Sequence, residues 1–431
     1  MLSAEKSAAD LPCICKLLWR VSMRILYVTH LWLGLEDLIV RGHVEASGMP
    51  SFLNSLRGLT DAGHKIDCVV ASRTIPAELR IEADWLHNIS FRFVRWNFRS
   101  FHGLLSVLRI LRGVYGALKT EQYDFVYGHG SVGALGCIVA RLMGVPCGQR
   151  LYGVNNLWTR LKRFGNVKTA MASPLVYLAY RNRQSFLLVT DDGSHGDRVW
   201  ERWGHRKSGP FYFWRNGVDF PDARLDLNLN TDEKCFLFMP ARITSWKRQH
   251  CALMILRDLH ALGWTHVRLC IAGGVVDKAY WEACRNRILD YDLQGSVDYL
   301  GALPNSSLSV YYNNCLAVLA PYALASMGNV VIEGLAAGAV VVVQDSDVLD
   351  GVIEDNVSGL RIKNTSDAAK RLAALLDDHT RVQEMRIRAA AAARRSFVPW
   401  ADRVNREVRL IEGTARRTAL WQEGTTATGR V

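Results

Sequence analysis

PYALASMGNVVIEGLAAGAVVVV, residues Pro321 to Val343, reads as a loop, a helix and a strand in close succession. The small residues from Ser326 to Asn329 suit a loop. Beyond them Glu333 is the one charged residue among apolar neighbours at helical spacing, and Val340 to Val343 form a β-branched run suited to a strand buried on both faces. The free N–H groups at the start of such a helix attract phosphate. Glu333, one turn in, has no cation nearby in sequence and needs a partner if buried. A ribose diol would supply two hydrogen bonds; an ordinary solvent-facing glutamate is the alternative.

Working outward, the same strand and helix alternation recurs. Upstream come CFLFMPARI, the helical HCALMILRDLHALG, VRLCIAGG, VDYLG and LAVLAPY. The first half repeats it: RILYVT, the helical SFLNSLRGLTDAGH, HKIDCVVAS, then YDFVYGH, GALGCIVARLMG and VPCGQRLYG. Short apolar strands alternating with helices imply parallel sheets covered on both faces. At 431 residues the chain exceeds one ordinary core. The fold class expected is therefore α/β, with two Rossmann-like domains facing across a cleft. The expected divisions are an extension over 1–22, an N-terminal domain over 23–215, a C-terminal domain over 216–395, and a closing helix and tail over 396–431.

The loop ARITSWKRQH follows a buried strand and sets Arg242 and Lys247 five residues apart. Two fixed cations at a strand's carboxyl edge suit a diphosphate whose leaving oxygen gains charge as a glycosidic bond breaks. A solvated basic loop is the competing explanation. In GHGSVG, Gly128, Gly130 and Gly133 formally match GxGxxG, but no acidic residue occurs from Phe125 to Thr190 to bind a ribose. Those glycines read instead as close helix-on-strand packing or a loop bordering the cleft. Asp345-Ser346-Asp347 spells DxD, yet follows the VVVV strand and reads as a polar loop. Metal ligands are not expected, because Arg242 and Lys247 supply the charge a divalent ion would bring.

Taken together, WRNGVDF, ARITSWKR, IAGG, YLGALPNSSLSVYY and NVVIEGLAAGAVVVV, in that order, with the Gly48 loop, AGHKIDCVV and GVPCGQRLYG before them, resemble a family-4 glycosyltransferase of the GT-B fold (group 1 type) from Met23 to about Glu412. The resemblance implies a retaining, hexosyl-type transferase that takes a sugar from a nucleotide-sugar donor without a metal or other cofactor. It implies that Arg242 and Lys247 hold the diphosphate, and that Glu333 binds the ribose. Gly328, Asn329 and Val330 would offer amides to phosphate, in the loop that begins at Ser326. Gly274 belongs to the matching IAGG, Leu303 would border the base, and Gly48 would approach the phosphates and acceptor. The last helix, around Trp400 to Ile411, would pack back on the N-terminal domain. Two departures stand out. Ala325 occupies a position where relatives carry a glutamate that touches the donor sugar. Tyr152-Gly153 replaces a His-Gly near that sugar, where Tyr152 can donate a hydrogen bond but cannot serve as a base near neutral pH.

The formal charge is +12, and all of it lies before residue 219, where 28 Lys and Arg oppose 16 Asp and Glu. Six cations and no acid lie between Trp85 and Thr120, and eight cations and no acid between Phe125 and Thr190. Leu104, Leu108, Leu111, Tyr115 and Leu118 recur at helical spacing, as in a sheet-covering helix with a solvated basic rim. The excess favours a phosphate-bearing partner, either a polyprenyl-diphosphate acceptor or anionic lipid headgroups. Nucleic acid fits less well, since no module for it is visible. The ten cysteines, scattered apart from Cys13 and Cys15, read as reduced thiols in a cytoplasmic protein, peripheral at most on the inner membrane face. Two other readings stay open: a sugar-nucleotide epimerase or hydrolase on the same fold, and a nucleotide-sugar-binding subunit of weak activity.

Overall fold

The computed structural model describes residues 22–97, 103–205, 207–221, 235–324 and 326–427. Residues 1–21 of the expected N-terminal extension, with Cys13 and Cys15, and also Arg99 and Ala325, lie outside them. Each half of the chain folds into one all-parallel sheet.

The first sheet contains β1 (Arg24–His30), β2 (Lys65–Ser72), β3 (Ile89–Arg95), β4 (Phe125–His129), β5 (Cys147–Leu151), β6 (Phe186–Thr190) and β7 (Phe211–Trp214), in the order β3-β2-β1-β4-β5-β6-β7. The second contains β8 (Phe236–Pro240), β9 (Arg268–Ala272), β10 (Val297–Gly301), β11 (Ala317–Ala320), β12 (Val340–Gln344) and β13 (Leu360–Ile362), in the order β10-β9-β8-β11-β12-β13. Central strands such as β4, β6 and β11 are buried along their whole length, which is why they read as unbroken apolar runs. In both sheets the strand order reverses beside the first strand, between β1 and β4 and between β8 and β11. Crevices at the carboxyl ends of strands open at such switch points. The loops that follow β8 and β11 therefore flank one crevice.

The GxGxxG glycines are used for packing. A Cβ on Gly128 would lie 2.5 Å from the Gly133 carbonyl oxygen, so strand β4 and the helix Gly133–Leu142 touch backbone to backbone. The helix Gly103–Thr120 corrects one expectation. Its buried face is Ser106, Ile110, Val114, Ala117 and Leu118, whereas Leu104, Leu108 and Tyr115 are exposed. The helix carries two apolar stripes, and the sheet takes the one with β-branched residues. The eight described cysteines are buried and unpaired.

The chain passes between the domains twice, and the two passages lie side by side: Val218 donates its N–H to the Val398 carbonyl at 3.0 Å and bridges to Pro399. From there the helix Trp400–Ala427 returns to the first domain. Val404 and Val408 close over Gly58 of the helix Pro50–Asp61, where a Cβ would meet Val404 at 2.0 Å. Below them Glu407 is buried and fully engaged. Its Oε1 accepts from Ser55 Oγ at 2.6 Å and Tyr127 Oη at 2.7 Å. Arg150 donates to both oxygens at 2.8 Å, and Arg403 donates to Oε2 at 2.8 Å. Burial pushes this carboxyl up, but the two guanidiniums and the two hydroxyls win and hold it at about 2. A carboxyl depressed in this way contributes stability above the ordinary glutamate range, and the contribution disappears as pH falls through about 2.

Glu407→Gln leaves two buried guanidiniums without their counter-charge and should destabilise the protein by roughly 3–5 kcal/mol near neutral pH. Urea unfolding followed by circular dichroism measures this; a midpoint unchanged from wild type would show that the triad contributes nothing.

Candidate active site

The loop Ala241–Arg248 leaves β8 and is stitched to the loop after β9, with Ala241 N–H on Ala272 O at 2.7 Å and Ile243 N–H on Gly274 O at 3.0 Å. Gly273 permits the stitch, because at φ 146° its missing Cβ would sit 2.3 Å from the Ala241 oxygen. The stitching projects Arg242 and Lys247 over the crevice. The Lys247 ammonium lies 3.6 Å from the centroid of the Tyr322 ring and 4.1 Å from that of Trp246. Burial, with the like charge of Arg242, pushes it down to about 7 against the opposing pull of Asp192.

Opposite, the loop after β11 runs into the helix Asn329–Ala336, and no side chain caps that helix at Gly328. The Asn329 side chain is tied to Asn216 in the interdomain passage, Oδ1 accepting from Nδ2 at 2.7 Å. Glu333 is half-buried. Its Oε2 accepts from Tyr312 Oη at 2.8 Å, while burial raises the carboxyl to about 7 despite that bond. The Tyr322 hydroxyl is buried with no hydrogen-bond partner among the described residues.

The first domain closes the end of the crevice. Gly48 N–H donates to Asn305 Oδ1 at 3.0 Å, and Asn305 N–H donates to Ala46 O at 3.2 Å. Met49, in the left-handed region at φ 53°, turns the chain into the helix behind it.

One cavity of about 280 Å³ results, and it brings together Arg242, Lys247, Glu333, Gly48, Gly274 and Leu303. Gly328, Asn329 and Val330 line it too. Ser326 lies in the adjoining hollow. Tyr152, expected at the donor sugar, does not line the cavity. Its hydroxyl is 2.6 Å from His129 Nδ1, its ring meets Trp32 and Phe52 edge-on, and the Arg150 guanidinium lies 4.8 Å from its centroid. This aromatic packing directs it into the first domain's core. Asp345 of the DxD spelling is paired with Arg361 at 2.7 Å.

Sequence reasoning missed Trp246, Asn305, Tyr312 and Tyr322. Trp246 and Tyr322 stand within motifs already singled out, and an aromatic residue beside a cationic loop is a signal that could have found them. Asn305 and Tyr312 act through tertiary contacts alone.

Residues 219–396 match the family model described as "Glycosyl transferases group 1". No curated protein matches the sequence. Among solved structures, the fold is similar to Anabaena Alr3699/HepE in complex with UDP and glucose, at TM-score 0.62 and 17% identity, covering 91% of this chain and 100% of that one. It is similar to sucrose-phosphate synthase from Thermosynechococcus elongatus, at TM-score 0.66 and 15% identity over 94% and 100% of the two chains. A putative UDP-N-acetylglucosamine 2-epimerase from Listeria monocytogenes is also similar, at TM-score 0.50 and 12% identity over 87% and 94%. At these identities the likeness shows the fold, a GT-B arrangement.

The depressed ammonium can be read directly. Lys247 should become acetylated by acetic anhydride with a midpoint at about pH 7, whereas exposed lysines respond at about 10.4. Peptide mass spectrometry across pH reports each site. A Lys247 profile coinciding with the exposed lysines would remove the burial argument.

Proposed function

We propose that this chain, whose C-terminal domain belongs to the group 1 glycosyl transferases, moves a sugar with retention from a nucleotide-sugar donor to a lipid-linked or glycan acceptor. The observation that carries the reading is the convergence of three kinds of group in one cavity: the cations Arg242 and Lys247, the N–H donors of the uncapped helix start at Gly328, and the carboxyl acceptor Glu333. A diphosphate fits the first two and a ribose diol the third. Binding a diphosphate returns Lys247 to the charged state, so the cation is strongest when the leaving group is in place. As the bond from the anomeric carbon to the phosphate oxygen breaks, that oxygen gains charge, which Arg242, Lys247 and the helix start stabilise. The acceptor hydroxyl attacks from the same face, and its proton passes to the leaving phosphate oxygen. This route requires no enzymic nucleophile and, with two cations present, no metal. Solved relatives hold UDP and UDP-glucose, so uridine diphosphate sugars are the first donors to test.

Glu333→Gln and Arg242→Ala should each lower transfer by roughly 30- to 5,000-fold, the equivalent of about 2–5 kcal/mol for a truncated charged partner in a desolvated site. Circular dichroism should stay that of wild type, and transfer should survive EDTA. Unchanged donor affinity and rate in both variants would remove the site assignment; dependence on Mn²⁺ or Mg²⁺ would redirect attention to Asp345 and Asp347.

The first domain supplies a reason to place the acceptor at a membrane surface. The segment Leu157–Ala172, two short helices joined by a kink at Gly165 (φ 73°), exposes Phe164, Val167 and Met171 together with Lys162, Arg163 and Lys168. Among the described residues no helix is long and apolar enough to cross a membrane. An apolar and cationic surface of this kind suits the interface of an anionic bilayer, each Lys or Arg adding about 1 kcal/mol. Liposomes containing phosphatidylserine should therefore retain the protein at low salt and release it as the Debye length shrinks below about 10 Å. Charge reversal at Arg109, Arg112, Lys162 and Arg163 should weaken retention without affecting donor binding. Sedimentation of wild type that ignores such liposomes at low salt would favour a soluble acceptor.

A further inference from the structure

Beside the donor cavity the domains enclose a second hollow of about 300 Å³, with Trp246 in the wall of both. That volume is at the lower end of small-molecule sites, roughly 300–1,000 Å³. The first domain contributes Asn155, Trp158, Asp192 and His195; the second contributes Trp246, Ser326, Ser346 and Asp345. The walls are joined across the interface by the Met327 N–H, which donates to the Asp192 carbonyl at 2.8 Å.

The hollow is shaped by residues held in unusual conformations. Asn155 and His195 are both in the left-handed region, at φ 49° and 59°, where side chains other than glycine's are disfavoured. Asp192 is fixed more tightly still. Its Oδ1 accepts from Ser194 N at 3.0 Å and Ser194 Oγ at 2.5 Å, and Ser194 Oγ in turn accepts the Val154 N–H at 2.8 Å. Its Oδ2 lies over Gly153, where a Cβ would come within 2.1 Å, and accepts from no described residue. The glycine of the Tyr152-Gly153 pair thus makes room for this carboxylate, a role quite separate from any contact of Tyr152 with sugar.

The charges of the two cavities differ in sign. Arg242 and Lys247 line the donor cavity. No lysine or arginine is among the residues that line the hollow, and its two acids are Asp192 and Asp345, the latter paired with Arg361 at 2.7 Å. A diphosphate or other anionic headgroup entering here would meet Asp192 with no lysine or arginine in the lining, since Lys247, on which Asp192 pulls, lines the donor cavity instead. An uncharged ring bearing hydroxyls would meet hydrogen-bonding groups from Asn155, Asp192, His195 and Ser346, with the indoles of Trp158 and Trp246 against its C–H surface.

We propose that this hollow is the acceptor pocket, that it takes an uncharged sugar ring, and that Asp192 Oδ2 accepts a hydrogen bond from one of that ring's hydroxyls beside Lys247. The inference rests on the transferase reading and adds to it the chemical class of the acceptor. Any phosphate of a lipid-linked acceptor then lies outside the pocket, toward the cationic surface of the first domain, while the sugar reaches in.

Saturation-transfer NMR with methyl glycosides of glucose, galactose, mannose and N-acetylglucosamine tests it, with geranyl diphosphate as the anionic probe and UDP present. At least one glycoside should bind wild type, and Asp192→Asn and Trp158→Ala should each weaken it about tenfold or more, as loss of a charged hydrogen bond or an aromatic wall does. Ser346→Trp, which fills the hollow without removing Asp192, should abolish the signal. UDP affinity, measured calorimetrically, should remain that of wild type in Trp158→Ala and Ser346→Trp, which also shows that they fold; Asp192→Asn removes a carboxylate that pulls on Lys247, so its fold is checked by circular dichroism. Glycoside binding indifferent to all three substitutions, no binding of any of the glycosides, or displacement of the glycoside by geranyl diphosphate would overturn the acceptor assignment. Failure of wild type to bind any nucleotide sugar would instead overturn the transferase reading on which it rests.

Discussion

A single buried carboxylate, Glu407, holds this architecture to one shape. It lies on the last helix, at the far end of a chain that has already built the second domain, and it enters the first domain's core between Arg150, Arg403, Ser55 and Tyr127. Buried ion pairs contribute little net stability relative to apolar packing, but they fix register, because any slip leaves an unpaired charge in the core. Here the register of the last helix sets where its first residue, Trp400, lies against Gly217, where a Cβ would come within 2.7 Å of the Trp400 Cα. The two interdomain passages are thereby locked side by side, and the cleft is defined by them. Arg150 has a second neighbour: its guanidinium lies beneath the Tyr152 ring, and Tyr152 leads into the Gly153 turn that accommodates Asp192. The interaction that fastens the last helix is therefore one residue pair away from the wall of the hollow.

Within the cleft, groups that would be more comfortable in water are held out of it. Burial drives Lys247 and Glu333 from opposite directions to about 7, and leaves the Tyr322 hydroxyl without a partner among the described residues. Each represents free energy given up in folding and recoverable only by a ligand that supplies the missing partner. A phosphate matches Lys247 and a diol matches Glu333. Lys247 is spared a larger penalty by the two aromatic faces around it, whose quadrupoles partly replace the lost water.

What the sequence disclosed, and what it withheld, follows from the range of the forces involved. Buried strands such as β4 and β12 were legible because a sheet covered on both faces demands apolar residues there, and β12 is nearly pure valine, whereas β3, β6, β7 and β13 were not singled out. Arg242, Lys247 and Glu333 were legible for a related reason: the first two are charges in the loop that leaves a core strand, and the third is the one charge among the apolar neighbours of a helix. The contact between Gly48 and Asn305 spans 257 positions and involves residues of no distinctive type, so nothing local announces it. The Glu407 triad is similar, since its glutamate sits in a helix rich in ordinary surface charges. The helix Gly103–Thr120 misleads because both of its apolar stripes satisfy helical periodicity, and only the shape of the sheet selects Ile110 and Val114 over Leu104 and Leu108.

The leftover stripe acquires meaning when combined with the charge distribution. An exposed leucine on an otherwise neutral surface needs no explanation, but Leu104, Leu105 and Leu108 share their helix with Arg109 and Arg112, as Phe164, Val167 and Met171 share their kinked segment with four cations. Phosphate attraction and apolar insertion reinforce each other at an anionic bilayer. In the proposed reaction the same division of labour continues inward. Cations at the outer face meet lipid phosphates, Arg242 and Lys247 meet the donor diphosphate, and the hollow between them, free of lysine and arginine, admits the one part of an acceptor that carries no charge. In that proposal, a pocket lined by two acids and by no lysine or arginine keeps an acceptor's phosphate out of competition with the donor for Arg242 and Lys247, which is how one enzyme would handle two phosphate-bearing substrates.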